Sequence, residues 1–455
     1  MRTLLLISVV VPWLSAAEVA TERVSVGSSG DQGNNAALEA NPRGDGQVVA
    51  MTDSSSNFPP NVPSNAHLNT DVFVRDRIHG TLTGLQVAYD SSVSRRGQLR
   101  FTADGSILFY TMGDMQTSVW AYRMSDGTNT RISAASSNQE SLLGISATGR
   151  YVLTRVYYGG TTDNRVITVI DRTITGSRDP IEVPAGEALN GTAAVSADGR
   201  IVAYSSYAIS RSVTSIVSYV HIYDRTTHQT TTIDTTAPEV AMSDDGRWVA
   251  YTDLRAPTSH VVLRDRTAGS DRLVSATGAG APGNGASGQP SVSADGSAIA
   301  YVSAASDLVV GDSNGHADVF RFDRAAGVTH LMSISNAGVA ANADSSLPEL
   351  NADGTVVVYV SDATNLVSGD TNGFADAFAS TAPISAAPVT TTTGAGTGSS
   401  TTGTSTTGSS DTGSTGTTAT SSPTSSGNTR GCGLGGVGAA AAAVLTLSMM
   451  RRRER

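Results

Sequence analysis

Residues 195–204 read VSADGRIVAY: a strand end, a tight turn on Ala197-Asp198-Gly199, and a second apolar strand that stops at a tyrosine. Asp and Gly tolerate the positive φ angles of tight hairpins, so the stretch predicts a β-hairpin closed by a two-residue turn. Six further copies follow the same plan: NPRGDGQVVAM (41–51), FTADGSILFY (101–110), ISATGRYVLT (145–154), MSDDGRWVAY (242–251), VSADGSAIAY (292–301) and LNADGTVVVY (350–359). Neighbouring turns lie about 45 to 60 residues apart, the spacing of propeller blades.

Each copy continues into two more strands. In the fourth, TAAVS (192–196) and IVAYS (201–205) are followed by SYVHIYD (218–224) and TTTID (230–234). Small side chains in the first strand suit the crowded axis of a propeller. Third strands recur as DVFVRDR (71–77), VITVIDR (166–172), VVLRDRTAG (261–269) and DVFRFDRAAG (318–327), alternating β-branched and aromatic residues before Asp and Gly. Asp76, Asp171, Asp224, Asp265 and Asp323 thus hold one fixed position, and an Asp side chain bonding nearby backbone amides explains it better than a ring of ligating carboxylates.

The fold expected is all-β: a seven-bladed β-propeller of four-stranded antiparallel blades. The last copy stops after its third strand, ADAFAS (375–380). Arg23–Val26 (RVSV) is similar to RLVS at 272–275 and HLMS at 330–333, which start fourth strands. The N-terminal strand is therefore expected beside 375–380, completing blade 7 and protecting its edge.

The small strand, S-A-D-G, I-A-Y and D-V-F-x-x-D pattern resembles the WD40-like repeats of the TolB-type β-propeller family across roughly residues 23–380. That resemblance is specific for fold and weak for function, because relatives serve as binding modules, periplasmic scaffolds and non-catalytic domains of peptidases. The proline of the family's S-P-D-G turn is replaced here, mostly by Ala, and the third copy has Ala147-Thr148-Gly149.

The ends differ from the repeats. Arg2, the apolar run Leu4–Leu14 and Ser15-Ala16-Ala17 predict an export signal over 1–17, cleaved after Ala17. The propeller is assigned to 18–387. Residues 388–430 collapse to Thr, Ser and Gly with little to bury, and read as a disordered spacer. The final segment, 431–455, holds Cys432, a Gly/Ala/Leu stretch over 434–450 and the cluster Arg451-Arg452-Arg453-Glu454-Arg455. Seventeen helical residues reach about 25 Å, short of a ~30 Å hydrocarbon core, so the stretch suits a transient membrane signal. Cysteine, short helix and Arg cluster, in that order, resemble the MYXO-CTERM sorting tails of myxobacterial surface proteins. That likeness implies a sorting protease acting near Cys432, and display on the surface or outer envelope of a Gram-negative bacterium; a retained tail anchor is the alternative.

Chemistry is sparse. The 455 residues include no lysine, which excludes Schiff-base catalysis. One cysteine excludes an intrachain disulfide. The formal net charge of −10, without a basic face, argues against nucleic acid. The seven histidines (67, 79, 221, 228, 260, 316, 330) show no metal-binding spacing, and no G-x-S-x-G nucleophile elbow is present. One paired feature rises above the repeat. Gly311–Asp318 (GDSNGHAD) and Gly369–Asp376 (GDTNGFAD) both read G-D-x-N-G-x-A-D, while the first-blade counterpart, Ser64–Asp71, keeps only Asp71. Asp312, Asn314 and Asp318, with Asp370, Asn372 and Asp376, offer hard oxygens suited to calcium, the one cofactor the sequence suggests. The rival reading is an Asx-turn loop duplicated between blades.

The function expected is a non-catalytic binding scaffold that presents loops to a protein or glycan. The alternative is an envelope hydrolase or lyase with its active site in the central channel, marked by converging acidic, His and Arg side chains. A purely structural envelope protein is the third option.

Overall fold

The structure, a computed structural model, describes residues 19–58, 71–85, 96–112, 117–133, 139–157, 166–209, 216–235, 239–254 and 258–382. The expectations for 1–17, 388–430 and 431–455, including Ala17 and Cys432, lie outside these residues. Among the described residues no helix is long and apolar enough to cross a membrane.

The described strands form seven four-stranded antiparallel sheets, arranged as a ring of blades. Blade 1 comprises Ala37–Pro42, Val48–Asp53, Asp71–Asp76 and Thr81–Gly84. Blade 4 has the longest strands: Glu187–Val195, Ile201–Ile209, Ile216–Asp224 and Gln229–Thr235. In blade 7, Ser345–Leu350, Val356–Ser361 and Asp376–Thr381 are joined by Ala20–Arg23 from the N-terminus. The first strands of successive blades abut one another and line the axis.

Among the described residues the core is divided into seven apolar clusters, one at each junction between neighbouring blades. This follows from the period-2 alternation: every blade is sandwiched, so both faces of its middle strands must be apolar. Val356–Ser361 (VVVYVS) and Val48–Asp53 (VVAMTD) are accordingly buried at every position. The recurring tyrosines Tyr110, Tyr204, Tyr251, Tyr301 and Tyr359 are at most 1% exposed.

The turns differ from the two-residue hairpin expected. Ser196 N donates to Ile201 O, leaving a four-residue loop, Ala197–Arg200. Gly199 N closes a turn onto Ser196 O, and Gly199, not Asp198, takes the positive φ of 74°. Asp198 Oδ1 instead accepts from Ser196 Oγ (2.5 Å) and Arg200 N (2.9 Å), while Ser196 Oγ accepts from Ile201 N (2.9 Å). The Ser-x-Asp-Gly signature is thus a side-chain clamp around a left-handed glycine. A Cβ on Gly199 would strike the ring of Tyr151 in blade 3, so close packing between blades also requires glycine.

These turns link the ring at one end. Ala103 N donates to Ala147 O, Ala197 N to Asp244 O, Asp244 N to Ala294 O, Ala294 N to Ala352 O, and Ala352 N to Gly44 O, at 2.7–3.0 Å. The Asp-Arg pairs ending the third strands meet them there. Arg77, Arg172, Arg225, Arg266 and Arg324 each donate to a turn-glycine carbonyl: Gly46, Gly149, Gly199, Gly246 and Gly296 respectively. The preceding Asp76, Asp171, Asp224, Asp265 and Asp323 accept backbone amides two or three residues ahead, as turn-forming aspartates do. We call this the turn end, and the opposite one the loop end.

Closure places the N-terminal strand where expected but three residues earlier. Ala20–Arg23 pairs with Thr381–Phe378, and Val24 and Ser25 then both direct their N–H groups to Ala377 O. The repeat register also moves by one. Ser25, Ser275 and Ser333 accept from Ala377 N, Val261 N and Val319 N respectively, so Arg23 corresponds to Leu273 and Leu331 rather than to Arg272 and His330.

Candidate functional site

Among the described residues, polar side chains come together in the axial channel, around His221 in blade 4, and at the loop end of blades 6, 7 and 1. In the channel, Glu, Gln and Arg side chains accompany the small residues expected of the first strands. The first strands carry β-bulges, and residues inside them adopt left-handed backbone without being glycine: Gln98 (φ 55°), Gln289 (φ 54°) and Leu347 (φ 56°). Such residues hold their strain only where neighbours brace them, and here the preceding blade does so. Glu39 Oε2 accepts from Gln98 N (2.6 Å) and Oε1 from Leu99 N (2.9 Å). Glu239 Oε2 accepts from Gln289 N (2.6 Å), and Gln289 Oε1 in turn accepts from Leu347 N (2.8 Å).

Arg100 links two of these blades, lying 3.4 Å from Glu39 Oε1 and 3.0 Å from Glu349 Oε1. Burial pushes the Glu39 carboxyl up, against the opposing pull of Arg100 and the two amides. Chemically, the carboxylates are engaged: Glu39 holds two backbone amides and a guanidinium, and Glu349 holds Arg100 and Ser291 Oγ. This network was not read from the sequence. Its members lie from about one blade (Glu39 and Gln98) to most of the ring (Arg100 and Glu349) apart in the chain, in strands whose register the bulges break.

A second cluster looks like a triad and is not one. In blade 4, His221 is buried, with Nε2 at 2.9 Å from Ser206 Oγ and 2.8 Å from Glu187 Oε2, and Nδ1 at 3.0 Å from Thr232 Oγ1. A catalytic triad sets serine and carboxylate on opposite ring nitrogens. Here both share one nitrogen.

The two G-D-x-N-G-x-A-D loops connect second to third strands at the loop end. In blade 7, Asp376 Oδ1 accepts from Ser25 Oγ (2.6 Å) and Oδ2 from Asn372 Nδ2 (3.1 Å). In blade 6, Asp318 Oδ1 accepts from Ser333 Oγ (2.6 Å) and Oδ2 from Asn314 Nδ2 (2.6 Å). Each asparagine oxygen is taken by a backbone amide two residues on, His316 N or Phe374 N, an Asx turn. Asn314 and Asn372 therefore present nitrogen, not oxygen, to the carboxylates, and serve to position Asp318 and Asp376.

Arg23 separates the two loops. Its Nη1 lies 3.2 Å from Asp370 Oδ1 and 3.4 Å from Asp376 Oδ2, with all three side chains at least nine-tenths buried. Blade 6 has Leu331 at that register, and its Asp312, 6% exposed, has Oδ2 without a hydrogen-bond partner. Burial pushes Asp312, Asp370 and Asp376 up, and Asp318 to about 6. Asp53, the last residue of the second strand of blade 1, is likewise pushed to about 6 by burial, with Asp376 adding repulsion. The matching residues of blades 6 and 7 are Ser303 and Ser361, which accept the equivalent amide that Asp53 takes from Ser55.

No family model matches the sequence, and no curated protein matches it. Solved structures do match. The acylaminoacyl peptidase of Pyrococcus horikoshii is 10% identical with a TM-score of 0.50, over 72% of this chain and 49% of that one, so the chain spans about half the length of that peptidase. The β-propeller domain of the Trilobed protease from Pyrococcus furiosus is 9% identical, with a TM-score of 0.49, over 72% of this chain and 91% of that chain. TolB from Acinetobacter baumannii is 14% identical, with a TM-score of 0.39, over 70% of this chain and 77% of that one. At such identities the likeness shows the fold alone, a β-propeller.

Proposed function

We propose that this protein is an exported, surface-displayed β-propeller that binds a protein or glycan partner through its loop end and carries no catalytic activity of its own. One observation carries the reading: three exposed large apolar side chains stand on loops of the adjoining blades 6 and 7 at the loop end, whereas Ile78 and Ile174 stand singly on turns of blades 1 and 3 at the turn end. Val310 is fully exposed, Val339 is 55% exposed and Phe374 is 43% exposed. Solvent-facing apolar residues gathered on loops above a rigid scaffold are what a docking face offers. Acidic and Arg side chains do converge in the channel, but each carboxylate is engaged: Glu39 and Glu239 brace strained bulges, and Glu39 and Glu349 hold Arg100, rather than standing free as an acid and base, which supports this reading over the hydrolase alternative.

In this reading the spacer 388–430 holds the propeller away from the membrane. About 43 residues of Gly/Ser/Thr chain have a root-mean-square reach of roughly 35 Å. A sorting protease acting near Cys432 releases the membrane-seeking stretch 434–450. Two measurements test the proposal. Mass spectrometry of surface protein should find Glu18 first and residues 434–455 absent; a retained tail replaces sorting with simple anchoring. Binding of the purified protein to a glycan array and to isolated cell-surface proteins should fall at least tenfold in a Val310→Ser, Phe374→Ser double variant. Unchanged binding removes the loop-end surface from consideration.

A further inference from the structure

We infer that the Asp312–Asp318 pair of blade 6 is a binding site for one divalent cation of the calcium type, standing where the Arg23 guanidinium stands in blade 7. The two loops share sequence, glycine conformation and second-strand-to-third-strand placement, with Gly311 and Gly315 at φ 95° and 74° and Gly369 and Gly373 at 76° and 71°. The serine and asparagine that orient Asp376 have direct counterparts orienting Asp318. In blade 7 that frame turns Asp370 and Asp376 toward one point, which Arg23 Nη1 occupies. In blade 6 the frame is kept and the cation is not: Leu331 takes the register of Arg23, and among the described residues no cationic group lies within ion-pair distance of Asp312 or Asp318.

Asp312 supplies the second observation. It is more than nine-tenths buried; one oxygen faces the backbone N–H of Asn314, and Oδ2 has no hydrogen-bond partner. A buried, unpartnered carboxylate oxygen costs several kcal/mol unless a cation or proton meets it. Carboxylate oxygens and, to complete the shell, water are hard donors, which favours calcium over a transition metal. Two protein carboxylates make a site of the 10⁻⁴–10⁻³ M class, of the order known for extracellular modules.

Calcium titration of the purified full chain tests this, by equilibrium dialysis and by thermal unfolding. One calcium should bind per chain, and about 10 mM calcium should raise the midpoint by on the order of 2–4 °C. Asp312→Asn, nearly isosteric, should weaken binding at least tenfold and abolish the shift. Leu331→Arg should do the same by installing the blade 7 arrangement, whereas Asp53→Ser should leave binding intact. Equal midpoints with calcium and chelator in the wild type overturn the site and leave a proton shared by the two carboxylates. Binding that survives Asp312→Asn overturns it as well, by placing the ion elsewhere.

Discussion

In blade 7 the loop Gly369–Asp376 closes around a cation that the chain itself supplies, Arg23. In blade 6 the loop Gly311–Asp318 has the same turn residues, the same Asx turn and a leucine at that register. The difference comes from topology. Blade 7 takes its fourth strand from the N-terminus, so the residue facing its loop belongs to a segment that also closes the ring. An ion pair at that point ties the first strand to the last third strand, where closure depends on four residues of pairing. Blade 6 draws its fourth strand, Val328–Leu331, from its own repeat and has no ring to close there.

Removing the internal cation should therefore produce the largest effect. Arg23→Leu copies the blade 6 residue into blade 7 and strands two buried carboxylates in the closing sheet. Breaking a buried pair from one side costs ~3–5 kcal/mol. Urea unfolding of the purified protein should show that loss, and calcium should recover part of it if the blade 6 inference holds. A loss below ~1 kcal/mol would mean that Arg23 contributes no more than a surface pair and that the contrast between the loops is cosmetic.

The second variant sharpens the comparison from the other side of blade 7. Asp53 adds a third carboxylate beside Asp376, where blades 6 and 7 have serine. Its folded pKa, about 6, lies above the ordinary aspartate value of 3.8, so the folded state holds the proton more tightly than the unfolded chain. Stability should then fall as pH rises from about 4 to 6, and the deficit should persist above 6. A displacement of that size corresponds to ~3 kcal/mol. Asp53→Ser should thus stabilise the protein by up to that amount at pH 7–8 and by little at pH 4. A gain independent of pH would assign the effect to packing instead.

How much of this was visible in the chain depends on the distance over which each feature is encoded. The Ser-x-Asp-Gly clamps are local: Ser196, Asp198, Gly199 and Arg200 bond to one another, so repetition of the string revealed the blades and their number. The third-strand aspartates were legible for the same reason, since Asp224 is bonded to amides at 226 and 227. Closure was legible in outline because blade 7 lacked a strand. Arg23 was hidden by a one-residue slip in matching RVSV to HLMS, which paired it with His330 instead of Leu331. The string similarity preferred a basic residue at both places, whereas the bonds made by Ser25 and Ser333 fix the true register. The channel braces were further out of reach. Glu39 meets Gln98, and Glu349 meets Arg100, only after the sheet has bulged and the ring has closed.

The smallest expected effect is the finest measure of the contrast. Asn314 and Asn372 each donate one amide hydrogen bond to a buried aspartate and another to a backbone carbonyl, Ala341 O in blade 6 and Gly33 O in blade 7. Replacing either with alanine removes a bond to a carboxylate, and hydrogen bonds to charged groups are worth ~1.5–3 kcal/mol. The two losses should not be equal. After Asn372→Ala, Asp376 keeps Ser25 and Arg23; after Asn314→Ala, Asp318 keeps only Ser333 among the side chains that now hold it. The blade 6 variant should therefore lose more, by about 1 kcal/mol, when both are measured by urea unfolding in chelator. Adding Arg23→Leu to Asn372→Ala should erase the gap, since it removes the one partner that blade 6 lacks. If the gap survives in that double variant, the asymmetry originates in the surrounding packing and not in the guanidinium.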